Sequence, residues 1–364
     1  MAVTIYDVAR FTGVSVKTVS RAINDHPDVS PRTRGMVLEA AQTLGFRPNP
    51  LARGLSAGAT GMIGLIVPEI LNPHYAEWAR AVEEEVRSEG YMLVLSDTAY
   101  DTALALAHVR TLIAHRAEGL IWMAGPLEGA ALDAISAARL PTVVHDTTAG
   151  APDHIRTPRI APHAVAYGPA MRAVVTHLLA LGHTRIAYIT EQPDRTTVQD
   201  RLAGFQQTLL DHGTPADPAL IRTSSLLRTN KLEGGYQETL ALLAAHRYPT
   251  AICTSSDLAA IGILRALREQ GLRVPKDVSV VGCDDLQLAS YTDPPLTTIH
   301  TPYAAAAQAN FRLLLHLIDS RKWPEPLLDA EYTLVVREST GPVSTGRPRP
   351  RRDRSGEGQG REQQ

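Results

Sequence analysis

From Met62 onward the chain alternates short, wholly apolar runs with helical ones, and this rhythm restricts the fold more than any other feature. The strand-like runs are MIGLIVPE, YMLVLSDT, GLIWMA, PTVVHD, RIAYIT, AICTSS and VSVVGCDD. Between them the spacing predicts helices over 75–89, 103–116, 127–139, 164–181, 198–210, 235–245 and 259–269. Strands apolar on both faces belong to parallel sheets covered by helices on both sides. Seven such units exceed one comfortable doubly wound domain, so two parallel-sheet subdomains are expected. The fold class is α/β.

The first 46 residues follow a different grammar. Thr4 can cap a first helix, with Asp7 in the reciprocal capping position and Ile5, Val8 and Ala9 on one side. Gly13 breaks that helix. Ser15 caps a second, with Val19, Ala22 and Ile23 facing inward, and Asn24–Pro27 reads as a loop. Ser30 and Pro31 start a third, whose apolar positions are Val37, Leu38, Ala41 and Leu44, and Gly45 stops it. A helix, a short glycine turn and a second capped helix have the shape of a helix-turn-helix. The second helix would present Val16, Lys17, Thr18, Ser20 and Arg21, small, polar and basic types suited to phosphates and base edges. An ordinary three-helix satellite has the same spacing. PNPLARGLSAGAT, residues 48–60, reads as a linker able to form one or two helical turns.

Charge separates the ends from the middle. Residues 1–60 hold seven Lys and Arg against four acids, and the tail from Arg347 holds six Arg against three. With a net charge of −2, the body between is acidic. Cys253 and Cys283 are the only cysteines, without metal-like spacing, and are expected to be reduced, semi-buried thiols. Charges at Asp7 and Arg10 interrupt any signal-peptide core, and no apolar run is long enough to cross a membrane, so the expected location is the cytoplasm. No dinucleotide fingerprint, Walker loop, HExxH or nucleophile elbow occurs. The pairs His108 and His115, and His177 and His183, read as structural. No catalytic residue, cofactor or metal is expected.

In open parallel sheets ligands bind beyond the carboxyl ends of the strands. Those ends hold the stretch from Pro68 to Tyr75, then Asp97, Gly125, Asp146, Thr190 to Arg201, Ser256 and Asp257, and Asp284 and Asp285. Such groups suit a hydroxylated small molecule. Asp257 and Asp285 read as helix caps. For Asp146 and Asp284, position alone leaves capping and ligand contact balanced.

The stretches TIYDVARFTGVSVKTVSRAIN and VSPRTRGMVLEAAQTLGFRPNPLARGL resemble the DNA-binding headpiece of the lactose-repressor/galactose-repressor (LacI/GalR) family. GLIVPEILNPHYAE, LGHTRIAYIT, DRLAGF, the run from Ser255 to Asp285, and PPLTTIH resemble that family's effector domain, which is like periplasmic sugar-binding proteins. The resemblance covers about residues 3–340. It implies a helix-turn-helix headpiece over 1–47 and a hinge over 48–60. An effector-binding and dimerisation domain of two subdomains follows over 61–340, with the chain crossing near 160, 290 and 322. Residues 341–364 would be a disordered basic tail.

The resemblance also implies residue roles. Val16, Lys17 and Arg21 match operator-reading positions, and Thr4, Ser15, Thr18, Ser20 and Asn24 complete the DNA-facing set. In the hinge, Asn49, Ala52 and Arg53 join Leu55, which matches a minor-groove wedge. Asp146, Arg201 and Asp284 match effector-contacting positions. His74, Tyr75, Arg195 and Thr197 match positions that vary with ligand, and Ser256, standing where the family commonly has Asn, joins them in the effector-binding set. Cys283 stands where the family usually has an aromatic residue, and residues 160–168 lack its usual acid and amide pair. The implied protein is a homodimeric repressor on a pseudo-palindromic operator in double-stranded DNA, controlled by a small molecule, in the family commonly a sugar. The same fold also serves activators. A solute-binding protein would share the effector domain, but the headpiece stands against that reading.

Overall fold

A computed structural model describes residues 3–46, 60–147, 155–319 and 331–344. The chain divides into two compact units, one up to Gly61 and one from Met62.

The first unit is three helices, α1 (Ile5–Thr12), α2 (Val16–Ile23) and α3 (Pro31–Leu44). The Thr4 amide donates to the Asp7 carboxylate at 2.9 Å, and the Thr4 hydroxyl donates to it at 2.7 Å. Gly13 ends α1 at φ 71°, a conformation that costs a glycine little. The Ser15 hydroxyl then accepts from the Thr18 amide and starts α2. Val8, Val19, Ala22, Val29, Val37, Ala40 and Ala41 make the small core. Leu38 was expected inside and is exposed, because Ala40 lies on the inner face of α3 in its place.

The second unit contains two sheets. The first has strand order β2-β1-β3-β4-β5, all parallel: β1 is Met62–Val67, β2 Met92–Asp97, β3 Gly119–Trp122, β4 Thr142–Thr147 and β5 Ile160–Ala164. Its helices are α4 (Pro73–Ser88), α5 (Thr102–Ala114) and α6 (Gly129–Ala138). The second sheet is built from β6 (Ile186–Thr190), β7 (Ile221–Thr223), β8 (Ala251–Thr254), β9 (Ser279–Asp284), β10 (Thr297–His300) and β11 (Thr333–Val335). Its order is β11-β10-β9-β8-β6-β7, with β11 antiparallel to β10. Around it lie α7 (Tyr167–Ala180), α8 (Thr196–Asp211), α9 (Leu226–Thr229), α10 (Lys231–Ala244) and α11 (Asp257–Glu269).

The last helix, α12 (Tyr303–Asp319), leaves the second sheet and packs Phe311, Leu314 and Leu317 into the core of the first, beside Trp78 and Val82 of α4. The chain therefore passes between subdomains just after β5, and again at Thr301–Pro302. That second passage falls beyond the expected point near 290, because β10 pairs with β9 before the chain leaves. The third expected crossing, near 322, lies outside the described residues, as does the tail beyond Ser344. Among the described residues no helix is long and apolar enough to cross a membrane.

Helices α10 and α11 touch backbone to backbone. A Cβ at Gly262 would lie 2.0 Å from the Leu232 carbonyl oxygen, and one at Gly235 would lie 2.2 Å from that of Ala259. Only hydrogen fits at either point. Gly262→Ala must push the helices apart and should cost about 1–3 kcal/mol, the range for overpacking a filled interior. Urea unfolding checks this: an unchanged midpoint would mean the contact is looser than described.

Candidate functional site

In the headpiece, Ser15 hydrogen-bonds within its own cap, to the Thr18 amide at 3.1 Å and the Thr18 hydroxyl at 2.9 Å. Lys17 is exposed and Ser20 half-buried on the same short helix. Val16 is half-buried and leans on the headpiece core. Arg21 lies 3.5 Å from the Asp28 carboxylate. Asn24 is exposed at the C-cap of α2, and Thr4 is exposed at the N-cap of α1. The loop after α2 is pinned by Arg34, which pairs with Asp25 at 2.6 Å and donates to the His26 carbonyl at 2.9 Å. Asn49, Ala52, Arg53 and Leu55 lie outside the described residues.

In the second unit the two subdomains meet at the carboxyl ends of their strands. His74 opens α4, with its amide held by the Asn72 side chain. Its Nδ1 lies 3.1 Å from Asp284 Oδ1, at the end of β9 in the other subdomain, and 3.0 Å from the Tyr303 hydroxyl. Both His74 and Asp284 are largely buried. Tyr75 is buried against the core, its ring edge-on to His74 at 5.0 Å.

Arg201 is buried on α8, its guanidinium 4.2 Å from the centre of the Tyr167 ring. One turn earlier, the Thr197 hydroxyl is fully buried and makes no hydrogen bond among the described residues. A buried polar atom in that state is uncommon and asks for an explanation. Arg195 precedes α8 and pairs with Glu191, which also accepts from Lys231. Burial works against the Glu191 charge, but Lys231 and Arg195 outweigh it and hold the carboxyl at about 2.

Of the residues expected at the cleft, the structure brings His74 and Asp284 into contact and places Thr197 and Arg201 on one turn of α8. Arg195 is committed to Glu191. Ser256 is a helix cap, its hydroxyl accepting from the Ala259 amide at 3.1 Å. The side chain of Asp146 lies outside the described residues.

Asp257 and Asp285 are structural, as expected, though not as caps. Asp257 accepts from the Thr298 hydroxyl at 2.5 Å and the Leu286 amide at 2.8 Å. Burial and the neighbouring Asp284 charge push its carboxyl well above the usual range. Asp285 holds Arg337 at 2.5 Å and His300 at 2.9 Å. The four histidines read as structural include His177 and His183, which bond to Thr340 and Gly341. Cys253 and Cys283 are free and wholly buried, further inside than expected. Burial raises both thiols above their ordinary range.

Sequence reasoning missed Tyr303 and Lys231, and it placed Glu191 at a strand end without its partners. Tyr303 follows the unrecognised strand β10. Lys231 joins Glu191 from forty positions away in the chain. Also missed was a buried histidine pair beneath the cleft. His145 of β4 and His163 of β5 stack at 5.3 Å, and the Asn310 amide donates to His145 Nδ1 at 3.1 Å. Burial lowers His163 to about 4, and burial together with His163 lowers His145 well below its ordinary value.

Both imidazoles are thus neutral in the folded chain, whereas in the unfolded chain they take up protons near pH 6.5. Stability is retained above that pH and falls as the pH drops toward 4. His163 alone should contribute a loss of about 3 kcal/mol across that window. His163→Gln should flatten the acid limb of a thermal-melt profile. An unaltered limb would mean that the pair is already charged in the fold.

Comparisons with known proteins agree with this fold. A family model described as bacterial regulatory proteins of the lacI family matches residues 4–49, and one described as a periplasmic binding protein-like domain matches residues 175–340. The HTH-type transcriptional regulator reg1 of Streptomyces lividans is 36% identical over 361 residues, covering 96% of this chain and all of that one. The structure of the Lac repressor dimer bound to operator and the anti-inducer ONPF superposes with a TM-score of 0.81. It is 30% identical, with 94% of this chain and 100% of that one covered. The complex of the transcriptional regulator CelR with cellobiose gives a TM-score of 0.69 at 28% identity, over 93% and 99% of the two chains.

Proposed function

Since this chain belongs to the lacI family of bacterial regulatory proteins, we propose that it is a DNA-binding transcriptional repressor, controlled by a small hydroxylated effector, in the first instance a sugar. It acts as a homodimer in the cytoplasm, as a binding protein and not an enzyme. Two recognition helices related by a two-fold axis would read a pseudo-palindromic operator. One observation carries the reading: a single chain joins a capped, basic α2 to a cleft where His74 of one subdomain meets Asp284 of the other.

Each end of the proposal has its chemistry. On DNA, Arg21 would exchange its long contact with Asp28 for guanine O6 and N7, while Lys17 reaches base or phosphate. In the cleft, Asp284 accepts from ligand hydroxyls and Arg201 donates a planar fork to ligand oxygens. A ligand hydroxyl would also give Thr197 the partner it lacks. Asp146 completes this proposed set, and the hinge positions Asn49, Ala52, Arg53 and Leu55 complete the DNA-facing one. A ligand favouring one arrangement of the subdomains shifts operator affinity by its preference for that arrangement, typically about 1–3 kcal/mol.

Arg21→Ala should weaken binding to the cognate operator by about 1–3 kcal/mol and binding to random DNA far less. Gel-shift titrations on both DNAs measure this, and equal losses would reduce Arg21 to a phosphate contact. Asp284→Ala should leave operator affinity within about twofold while abolishing its response to the effector. Fluorescence anisotropy with and without effector, beside a thermal melt, reads both. A joint loss of melting temperature and DNA binding would make Asp284 a structural residue.

A further inference from the structure

The arginine proposed to read DNA has an acid beside it. Asp28 lies 3.5 Å from Arg21, in the loop that follows α2. The side chain of Arg21 is 41% exposed and that of Asp28 60%, so the pair stands in water and adds little to folding stability. An acid at this place also works against binding. Duplex DNA carries one negative charge for about every 1.7 Å of its axis. A carboxylate beside Arg21 is brought toward those charges whenever Arg21 reaches a base.

We propose that Asp28 is a specificity-determining residue of the headpiece: its charge is tolerated on DNA only while Arg21 stays beside it at a guanine, and it penalises every other sequence. The proposal rests on the DNA-binding reading of Arg21 and goes beyond it, to a residue that touches no base. Three observations carry it.

The first is placement. The loop is fastened on both sides of Asp28. The His26 amide donates to the Arg21 carbonyl at 2.9 Å, and the Val29 amide donates to the His26 carbonyl at 3.2 Å. Val29 is buried in the headpiece core, and Arg34 holds Asp25 and the His26 carbonyl. Asp28 is therefore carried on a fixed support and cannot swing far from an approaching phosphate.

The second is dependence. His26 Nδ1 accepts from the Asp28 amide at 3.3 Å. To the Asp28 carboxylate, 3.4 Å away, that nitrogen then offers a lone pair and no proton. Arg21 is the cation that offsets the Asp28 charge.

The third is looseness. Arg34 and Asp25 are closed on one another at 2.6 Å, whereas Arg21 stands off from Asp28 by 3.5 Å. Arg21 can turn two N–H groups to guanine O6 and N7, and its guanidinium, which carries five, still faces Asp28 with its full charge. Where no guanine is presented, Arg21 must leave for a phosphate to find an acceptor. Asp28 then meets the duplex without its cation.

Asp28→Asn tests this, since it keeps the shape and removes the charge. Selection from a randomised duplex library by the full chain supplies the preferred duplex, and a scrambled duplex of equal length is the control. Fluorescence anisotropy on both gives the specificity ratio. The scrambled duplex should bind about fivefold tighter to the variant and the preferred one should change less than about twofold, so the ratio falls. In an Arg21→Ala background the same substitution should tighten both duplexes equally. A thermal melt should not move. An unchanged ratio, or the same fall with and without Arg21, would overturn the proposal and leave the DNA-binding reading in place. A melt lowered in step with the ratio would make Asp28 a structural residue instead. Selection that enriches no duplex would overturn the DNA-binding reading itself.

Discussion

Much of the cleft depends on one buried carboxyl. Asp257 is wholly inside the second subdomain, where it ties the Thr298 hydroxyl on β10 to the Leu286 amide after β9. Immediately before the Leu286 anchor the backbone passes through two consecutive residues of positive φ, Asp284 at 123° and Asp285 at 55°. Positive φ is costly for residues with a Cβ and persists only where surrounding structure enforces it. Asp257 supplies that enforcement, and Gly282 leaves room for it, since a Cβ there would lie 2.3 Å from the Asp257 carboxylate. The turn sends Asp284 toward His74 and Asp285 toward Arg337 and His300. Adjacent acids thus do different work, one facing the cleft and one fastening the chain near the passage between subdomains.

That arrangement suits a switch. The link across the cleft, from His74 to Asp284, joins groups that a ligand can also address. Tyr303 takes part from the first turn of α12, just past the second passage between subdomains. A molecule bound at Asp284 therefore acts where the chain crosses. The Glu191 cluster and the backbone contact at Gly262 lie within the second subdomain and hold it as one body.

The larger features were legible in the sequence because they follow from period and punctuation. Apolar runs bounded by turns marked β1 to β4, β6, β8 and β9 but not β10, whose threonine-rich TTIH has one apolar residue in four, and Gly13, Ser15, Ser30 and Gly45 set the headpiece boundaries. The strands that escaped notice have physical reasons for it. β5 contains Pro162, tolerated because β5 lies at the sheet edge. β7 and β11 are three residues long and also at edges. At the site, position relative to strand ends found Asp284 and Arg201. It could not distinguish Ser256 as a cap, nor show that Glu191 occupies Arg195, because those roles depend on partners distant in sequence. The stacking of His145 on His163 needs the pairing of β4 with β5, which no local pattern announces.

The central claim is that one molecule in the cleft and one operator on the headpieces act on the same equilibrium. Binding linkage demands that each change the other's affinity by the same factor. The direct measurement is calorimetric titration of the effector into the chain, free and saturated with operator, beside operator titrations with and without effector. The account predicts equal factors in the two directions, in the range of about 5–150-fold. An effector that binds the free and operator-bound chain with the same affinity would contradict it.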